Sequence, residues 1–100
     1  MAVYKLTSEN FDSVISEGTA LVDFWASWCG PCRMVGPVIE RIADKLPDVK
    51  VCKVNVDDEP ALAARFGIMS IPTVIAFKNG AQTAKKVGVS SEADYISMTE

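Results

Sequence analysis

Two cysteines, Cys29 and Cys32, lie three positions apart in the segment WASWCGPCRM. Cysteine pairs at this spacing hold metal ions, form structural disulfides, or cycle between dithiol and disulfide in redox chemistry. A structural zinc ion needs about four ligands. The sequence has no histidine, and Cys52 is the one further thiol that a metal could use beside carboxylates. A zinc site is therefore poorly supported, and we expect no bound metal.

A purely structural disulfide between Cys29 and Cys32 also has little support. The loop that it would close contains only a few residues, so it would constrain the unfolded chain little. A chain of 100 residues buries roughly 60–70% of the surface that its unfolded form exposes, and it needs no covalent cross-link to fold. The odd cysteine count does not suit a secreted disulfide framework. We therefore interpret the two cysteines as a redox pair.

The hydrophobic pattern places this pair between a buried strand and a long helix. Residues 20–25 form a dense apolar run, which is typical of a strand covered on both faces. From Met34 to Leu46 apolar residues recur at helical spacing, and Pro47 ends the pattern. Pro37 lies inside this helix and predicts a kink. A pair of cysteines at such a strand–helix junction is typical of redox proteins.

The same junction predicts different roles for the two cysteines. Gly30 permits a tight turn, and Pro31 suits the first helical position, where its missing N–H would be unpaired anyway. Cys29 then meets free backbone N–H groups and the positive end of the helix, which lower a thiol pKa and favour the nucleophilic thiolate. Cys32, one turn further along, is placed to resolve a mixed disulfide on Cys29. Because Gly30 and Pro31 add no positive charge, we expect a reductant.

The rest of the chain predicts a mixed sheet with helices on both faces. We expect strands at 3–6, 49–56, 73–77 and 83–87, and helices at 8–17, 59–66 and 90–98. Thr7 is the predicted N-cap of the first helix. A helix between two buried strands implies a parallel crossover, whereas Asn79 and Gly80 signal an antiparallel hairpin. The predicted fold class is three-layer α/β.

Composition argues against several other classes of protein. With 49% hydrophobic residues, 23% charged residues and a net charge of −3, the chain is globular and lacks the basic surface that nucleic acid requires. No segment approaches the ~20 apolar residues of a membrane span, and the N-terminal sequence has neither signal-peptide nor transit-peptide character. We expect one domain over residues 1–100, located in the cytoplasm, without nucleic-acid or membrane partners.

Five segments together resemble the thioredoxin family. They are LVDFWASWCGPCRM, KVNVD, FGIMSIPT, FKNG and KVG, and the match extends from about Phe11 to Gly88. The resemblance implies a five-stranded sheet in the order 1-3-2-4-5 with four flanking helices, and exchange of dithiols with protein disulfides. It also implies recharging by thioredoxin reductase, an NADPH-dependent flavoenzyme, since the chain has no dinucleotide fingerprint of its own. We expect a monomer without a bound cofactor, whose redox group is the Cys29–Cys32 disulfide.

Asp23 is an acid inside an apolar strand. An ionised, unpaired carboxylate there would be costly, so its pKa should rise; the alternative is a strand end that faces solvent. By resemblance, Asp23 lies behind Cys32 and exchanges protons with it through water. Lys53 either extends to the edge of the sheet or, by resemblance, lies near Asp23 and tunes it. Cys52 is expected to be a small buried hydrophobe.

The resemblance also implies a surface that binds substrate. Trp28 would face the substrate, and the backbone at Ile71 and Pro72, joined by a cis peptide bond, would pair with an extended substrate segment as an added strand. Gly88 would leave room for that segment. Met69 makes this surface more apolar than is usual in the family.

A second function remains open on the sequence alone. A rigid binding module could dock partners through Trp28, Met69 and Ile71 without redox turnover. Such a module has no need of Cys32 or Asp23, so we favour the oxidoreductase.

The end of the chain departs from the family pattern. The last predicted helix offers Ala93, Ile96 and Met98 but no closing apolar turn, whereas the family's last helix is usually longer and richer in leucine. We expect either a short, loosely docked helix or a chain that stops early.

Overall fold

The computed structural model describes residues 3–100, so the first two residues of the expected domain lie outside it. The described residues form five strands: β1 Val3–Lys5, β2 Thr19–Trp25, β3 Lys50–Asn55, β4 Thr73–Lys78 and β5 Ala81–Val87. They also form four helices: α1 Phe11–Ile15, α2 Gly30–Lys45, α3 Pro60–Arg65 and α4 Glu92–Ser97. In this part of the chain no helix combines the length and the apolar character that a membrane span needs.

The strands form one mixed sheet in the order β1-β3-β2-β4-β5, which confirms the predicted fold class. β3 pairs in parallel with β1 and β2, while β4 pairs in antiparallel fashion with β2 and β5. Helix α2 connects the parallel neighbours β2 and β3, and it continues through Pro37. Asn79 and Gly80 form the hairpin turn with φ values of 50° and 86°, and positive φ at both positions is what a two-residue turn of this kind requires.

The core consists of two layers, one on each face of the sheet. Helices α1 and α3 cover one face, where Phe11 and Leu62 are among the buried residues. Helices α2 and α4 cover the other face, where Leu21 and Tyr95 are among them. Because successive strand residues point to opposite faces, Asp23 shares the second face with Leu21. The acid therefore lies on the side of the sheet that α2 covers.

The first helix begins later than the sequence predicted, and Thr7 is not its N-cap. The side-chain oxygen of Asn10 accepts a hydrogen bond from the Thr7 backbone N–H at 2.7 Å, and the Thr7 hydroxyl accepts one from the Glu9 N–H at 3.2 Å. These polar side chains stabilise a turn ahead of the helix, which starts at Phe11. Local side-chain hydrogen bonds thus replace the predicted first helical turn.

Helix α4 is short, as expected, but Tyr95 docks it firmly. The Tyr95 side chain is completely buried in the layer that α4 shares with α2. Arg41 and Lys45 of α2 form ion pairs with Glu92 at the start of α4. The expectation of loose docking overlooked the tyrosine, which carries a polar hydroxyl on a large apolar ring.

Strand β5 forms one edge of the sheet and is largely exposed. Lys85 and Lys86 lie on this strand, and its pairing with β4 shifts register between Ala76 and Phe77. β1 lies at the opposite edge.

Candidate active site

Helix α2 positions both cysteines of the predicted redox pair. Cys29 is the N-cap residue of α2 and Cys32 lies in its first turn; a disulfide joins them, with Cα atoms 5.3 Å apart. The backbone N–H of Cys32 donates a hydrogen bond to Cys29 Sγ at 3.2 Å. The N-terminal end of a helix favours negative charge, so this arrangement can stabilise a thiolate on Cys29 after reduction. Each cysteine is 4% exposed.

The dipeptide between the cysteines lies inside the helix. Gly30 is the first helical residue, so Pro31 occupies the second helical position, one residue later than predicted. The missing N–H of Pro31 remains harmless there, because the first four N–H groups of a helix have no partner within it.

The loop before β4 contacts the disulfide. Cys29 Sγ lies 3.7 Å from the carbonyl oxygen of Ile71. In the disulfide this sulfur has no proton to donate, whereas a Cys29 thiol could donate a weak hydrogen bond to the same oxygen. The Ile71–Pro72 peptide bond is cis, the isomer that the resemblance implies.

Gly88, which directly follows β5, is hydrogen-bonded to this loop. Its N–H donates a hydrogen bond to the Pro72 carbonyl oxygen at 2.8 Å, and its φ of 87° favours glycine. A Cβ atom at Gly88 would meet no other atom within 4 Å, so the space beside this glycine is open.

An apolar groove adjoins the disulfide. It has a volume of about 270 Å³, and its lining residues are Trp28, Val56, Pro60, Ala63, Ile68, Met69, Ser70 and Ile71. The groove therefore brings Trp28, Met69 and Ile71 together, the three residues that the sequence predicted to contact partners. Trp28 is 67% exposed and Met69 is 95% exposed.

The ring of Trp28 is held in place by a residue that sequence reasoning missed. Its indole N–H donates a hydrogen bond to Asp57 Oδ2 at 2.9 Å. Asp57 is the last residue of the segment KVNVD, but the partner of an exposed carboxylate cannot be inferred from residue spacing.

Asp23 is buried rather than solvent-facing. It is 1% exposed, and within residues 3–100 neither carboxyl oxygen has a hydrogen-bond partner. Burial raises the pKa of Asp23 from 3.8 to about 7, while the positive charge of Lys53 acts in the opposite direction. A carboxyl group with a pKa near neutrality can both accept and release protons under physiological conditions.

Lys53 lies between three groups on the covered face of the sheet. It is paired with Asp23 in the β2–β3 register, its Nζ lies 3.2 Å from Glu40 Oε2, and the same Nζ lies 5.7 Å from the centre of a Trp25 ring. Lys53 therefore does not simply extend to the edge of the sheet.

Glu40 is a second residue that sequence reasoning missed. Cys32, Gly36 and Glu40 follow one another at intervals of four along α2, so they share one helix face. All three line a cleft of about 340 Å³ together with Lys53. The spacing of four was the signal that could have identified Glu40.

Cys52 lies apart from this chemistry. It is a completely buried free cysteine in the layer covered by α1 and α3. Burial raises the pKa of its thiol to about 12, so the group stays protonated and unreactive at neutral pH. No group of three or more potential metal ligands occurs among residues 3–100.

Comparison with known proteins agrees with these features. The family model named Thioredoxin matches residues 2–100. The chain belongs to the thioredoxin family. The thioredoxin of Staphylococcus saprophyticus is 46% identical over 101 residues, which cover 100% of this chain and 97% of that protein. The thioredoxin of Staphylococcus haemolyticus is 51% identical over 89 residues, which cover 88% of this chain and 86% of that protein.

The fold comparison gives the same family. The structure of a point-mutant thioredoxin from Halobacterium salinarum NRC-1 matches with a TM-score of 0.89 and 36% identity, covering 98% of this chain and 91% of that one. Family membership and the Cys29–Cys32 disulfide together identify the protein as a thiol–disulfide oxidoreductase, which confirms the function predicted from the sequence.

Proposed function

We propose that this thioredoxin-family protein reduces disulfide bonds of cytoplasmic proteins, with Cys29 as the attacking and Cys32 as the resolving cysteine. The observation that carries the proposal is the position of the disulfide at the start of α2, where the Cys32 N–H points at Cys29 Sγ. A helix N-terminus stabilises the thiolate that must attack.

The first step uses the reduced protein. The Cys29 thiolate attacks one sulfur of a substrate disulfide, the substrate S–S bond breaks, and the leaving thiolate takes up a proton. A mixed disulfide then joins Cys29 to the substrate sulfur that it attacked.

The second step releases the substrate. Cys32 passes its proton to Asp23 through water, and the resulting thiolate attacks Cys29 Sγ. The mixed disulfide breaks, the second substrate sulfur leaves as a thiolate and is protonated, and the Cys29–Cys32 disulfide forms. Asp23 then gives up the Cys32 proton, and the substrate thiolates take up protons from solvent. Overall the substrate gains two electrons and two protons, and the protein loses two electrons together with one proton from Cys29, released when its thiolate formed, and one from Cys32. The near-neutral pKa of Asp23 supports its part in this transfer.

Substrate docking involves the groove and loop beside Cys29. Trp28, Met69 and Ile71 supply apolar contacts, and they line one groove. The backbone around Ile71 and Pro72 pairs with an extended segment of the substrate, and the open space at Gly88 admits it.

The oxidised protein needs an external source of electrons for the next cycle. We propose thioredoxin reductase, a flavoenzyme that draws on NADPH, as this partner. Gly30 and Pro31 add no positive charge to that of the helix N-terminus, so the thiolate is stabilised less than it would be beside a charged dipeptide, and the protein works as a reductant. It acts as a monomer, binds no further cofactor, and needs neither nucleic acid nor membrane.

The test is a coupled assay with NADPH, thioredoxin reductase and a disulfide-containing protein such as insulin. We expect NADPH oxidation that depends on this protein and is abolished in Cys29→Ser. The Cys32→Ser variant should accumulate a covalent complex with the substrate, detectable by mass spectrometry.

Two outcomes would contradict the proposal. One is a redox titration that places the protein among the strong oxidants. The other is a Cys29→Ser, Cys32→Ser double variant that still supports growth where the wild type is required, since that result favours the binding module.

A further inference from the structure

Glu40 connects helix α2 to the strand that faces Asp23. Its Oε2 lies 3.2 Å from Lys53 Nζ, with side chains that are 44% and 22% exposed respectively. Both residues line the cleft that also has Cys32 in its wall. The ion pair therefore lies in the wall of the same cleft as the resolving cysteine.

The charge of Lys53 acts on two carboxyl groups, those of Asp23 and Glu40. Asp23 occupies the paired position on the neighbouring parallel strand, on the same face of the sheet. Asp23 is buried without a hydrogen-bond partner in the described chain, whereas Glu40 contacts the ammonium directly. Glu40 and Asp23 therefore share the positive charge of one lysine.

The surroundings leave Lys53 little freedom. A Cβ atom at Gly36 would lie 3.5 Å from its Nζ, so the backbone of α2 passes close to the ammonium. The centre of the Trp25 ring lies 5.7 Å from the same Nζ. The Lys53 ammonium therefore lies near the α2 backbone, the indole and Glu40.

We propose that Glu40 is a positioning residue for the redox reaction: it competes with Asp23 for the Lys53 ammonium and, through this lysine, sets how readily Asp23 exchanges a proton with Cys32. The inference rests on the proposed role of Asp23. Glu40 itself touches neither the substrate nor the sulfur atoms.

The charges of Glu40 and Lys53 determine in which direction the titration of Asp23 changes when Glu40 is replaced. When Glu40 loses its charge, Lys53 acts on Asp23 without a competing carboxylate, and a negative charge is also removed from the neighbourhood. Both changes favour the ionised form of Asp23. Other titratable and charged groups face Asp23 or line the cleft: Lys53 from β3, Cys32 and Arg33 from α2, and Tyr95 from α4.

The first experiment is an NMR titration of the Asp23 carboxyl carbon in the reduced protein. We expect the midpoint to fall by about 0.5–1 pH unit in Glu40→Gln and to stay near the wild-type value in Glu40→Asp, which keeps the charge. Glu92→Gln is the matched control, because Glu92 also pairs with basic residues of α2, on the α4 side. It should leave the midpoint unchanged.

A double-variant cycle tests whether the effect passes through the lysine. In a Lys53→Met background, Glu40→Gln should no longer lower the Asp23 midpoint by the same amount. An equal shift in both backgrounds, or no shift in Glu40→Gln alone, overturns the inference and leaves the proposed function intact.

The kinetic readout separates this inference from the proposed function. The pH profile of substrate release from the mixed disulfide should move in Glu40→Gln in the same direction as the Asp23 midpoint. A wild-type profile in Asp23→Asn would remove Asp23 from the reaction, and with it the consequence of Glu40 for catalysis.

Discussion

The hydroxyl of Tyr95 donates a hydrogen bond to the carbonyl oxygen of Gly88 at 3.2 Å and accepts one from the Ser90 N–H at 3.0 Å. Gly88 in turn donates its N–H to the Pro72 carbonyl oxygen. Two consecutive hydrogen bonds, from Tyr95 to Gly88 and from Gly88 to Pro72, therefore join α4 to the loop that contacts Cys29. The residue that docks the last helix also holds the backbone beside the disulfide.

We predict that Tyr95→Phe keeps the ring packing but loosens this loop. Burial raises the pKa of the Tyr95 phenol, so the hydroxyl remains a donor at neutral pH. Its loss should cost about 1 kcal/mol of unfolding free energy and raise KM for a protein disulfide with little change in kcat. Urea unfolding and steady-state assays check both. Tyr4→Phe, at an exposed position, is the control, and an unchanged KM would show that the loop does not depend on this hydroxyl.

We predict that Asp23 makes stability fall as pH rises. The folded pKa of about 7 lies above the unfolded value of 3.8, so the folded state binds this proton more tightly. Unfolding free energy should therefore decrease between about pH 4 and pH 7 and stay low above that range. Asp23→Asn should remove this slope and be more stable than wild type at about pH 8, by roughly 2–4 kcal/mol.

Asp12→Asn is the control of opposite sign for this measurement. The Arg65 hydrogen bond holds the Asp12 pKa below its usual value, so Asp12 contributes stability at neutral pH that is lost in acid. Denaturant unfolding across the pH range distinguishes the two. A slope that persists in Asp23→Asn would assign it to another group.

We predict that Cys52→Ala retains full redox activity. The buried thiol, with a pKa of about 12, does not form a thiolate at neutral pH, and it lies in the layer on the other face of the sheet from α2. A thiol reagent should modify Cys52 only after unfolding, and the small cavity should cost roughly 1 kcal/mol. Loss of activity in a folded Cys52→Ala protein would contradict this view.

We predict that Met69→Lys changes substrate preference without affecting stability. Met69 is almost fully exposed at the rim of the groove, and surface substitutions of this kind stay within about 0.5 kcal/mol. Disulfide peptides with apolar flanking residues should show a higher KM, and acidic ones a lower KM. Tyr4→Lys, exposed on β1 at the opposite edge of the sheet, should change neither KM, and equal effects of the two substitutions would argue against a docking role for Met69.

The sequence was sufficient to predict the sheet, its helices and the cysteine pair because short-range patterns determine them. The apolar run before Cys29, the helical spacing after it, and the Asn79-Gly80 turn each depend on neighbouring residues. Strand order came from the resemblance to the family rather than from these patterns.

Contacts between distant positions could not be predicted in this way. Glu40 contacts Lys53, and Tyr95 contacts Gly88, yet neither periodicity nor composition reveals the partner of a polar side chain. The same limit applies to contacts between nearby residues. Thr7 was a plausible N-cap, but its backbone N–H donates a hydrogen bond to the Asn10 side chain, and the helix begins only after Asn10.

Strand β5 is an edge strand that resists pairing with other chains. An outer strand offers unpaired backbone groups on which another extended chain can align, and this is how sheets aggregate. Lys85 and Lys86 and the irregular register beside Phe77 make such alignment costly. Strand β5 therefore discourages pairing with another extended chain, so that the proposed docking of substrate segments beside the disulfide does not extend to pairing between copies of the protein along this edge.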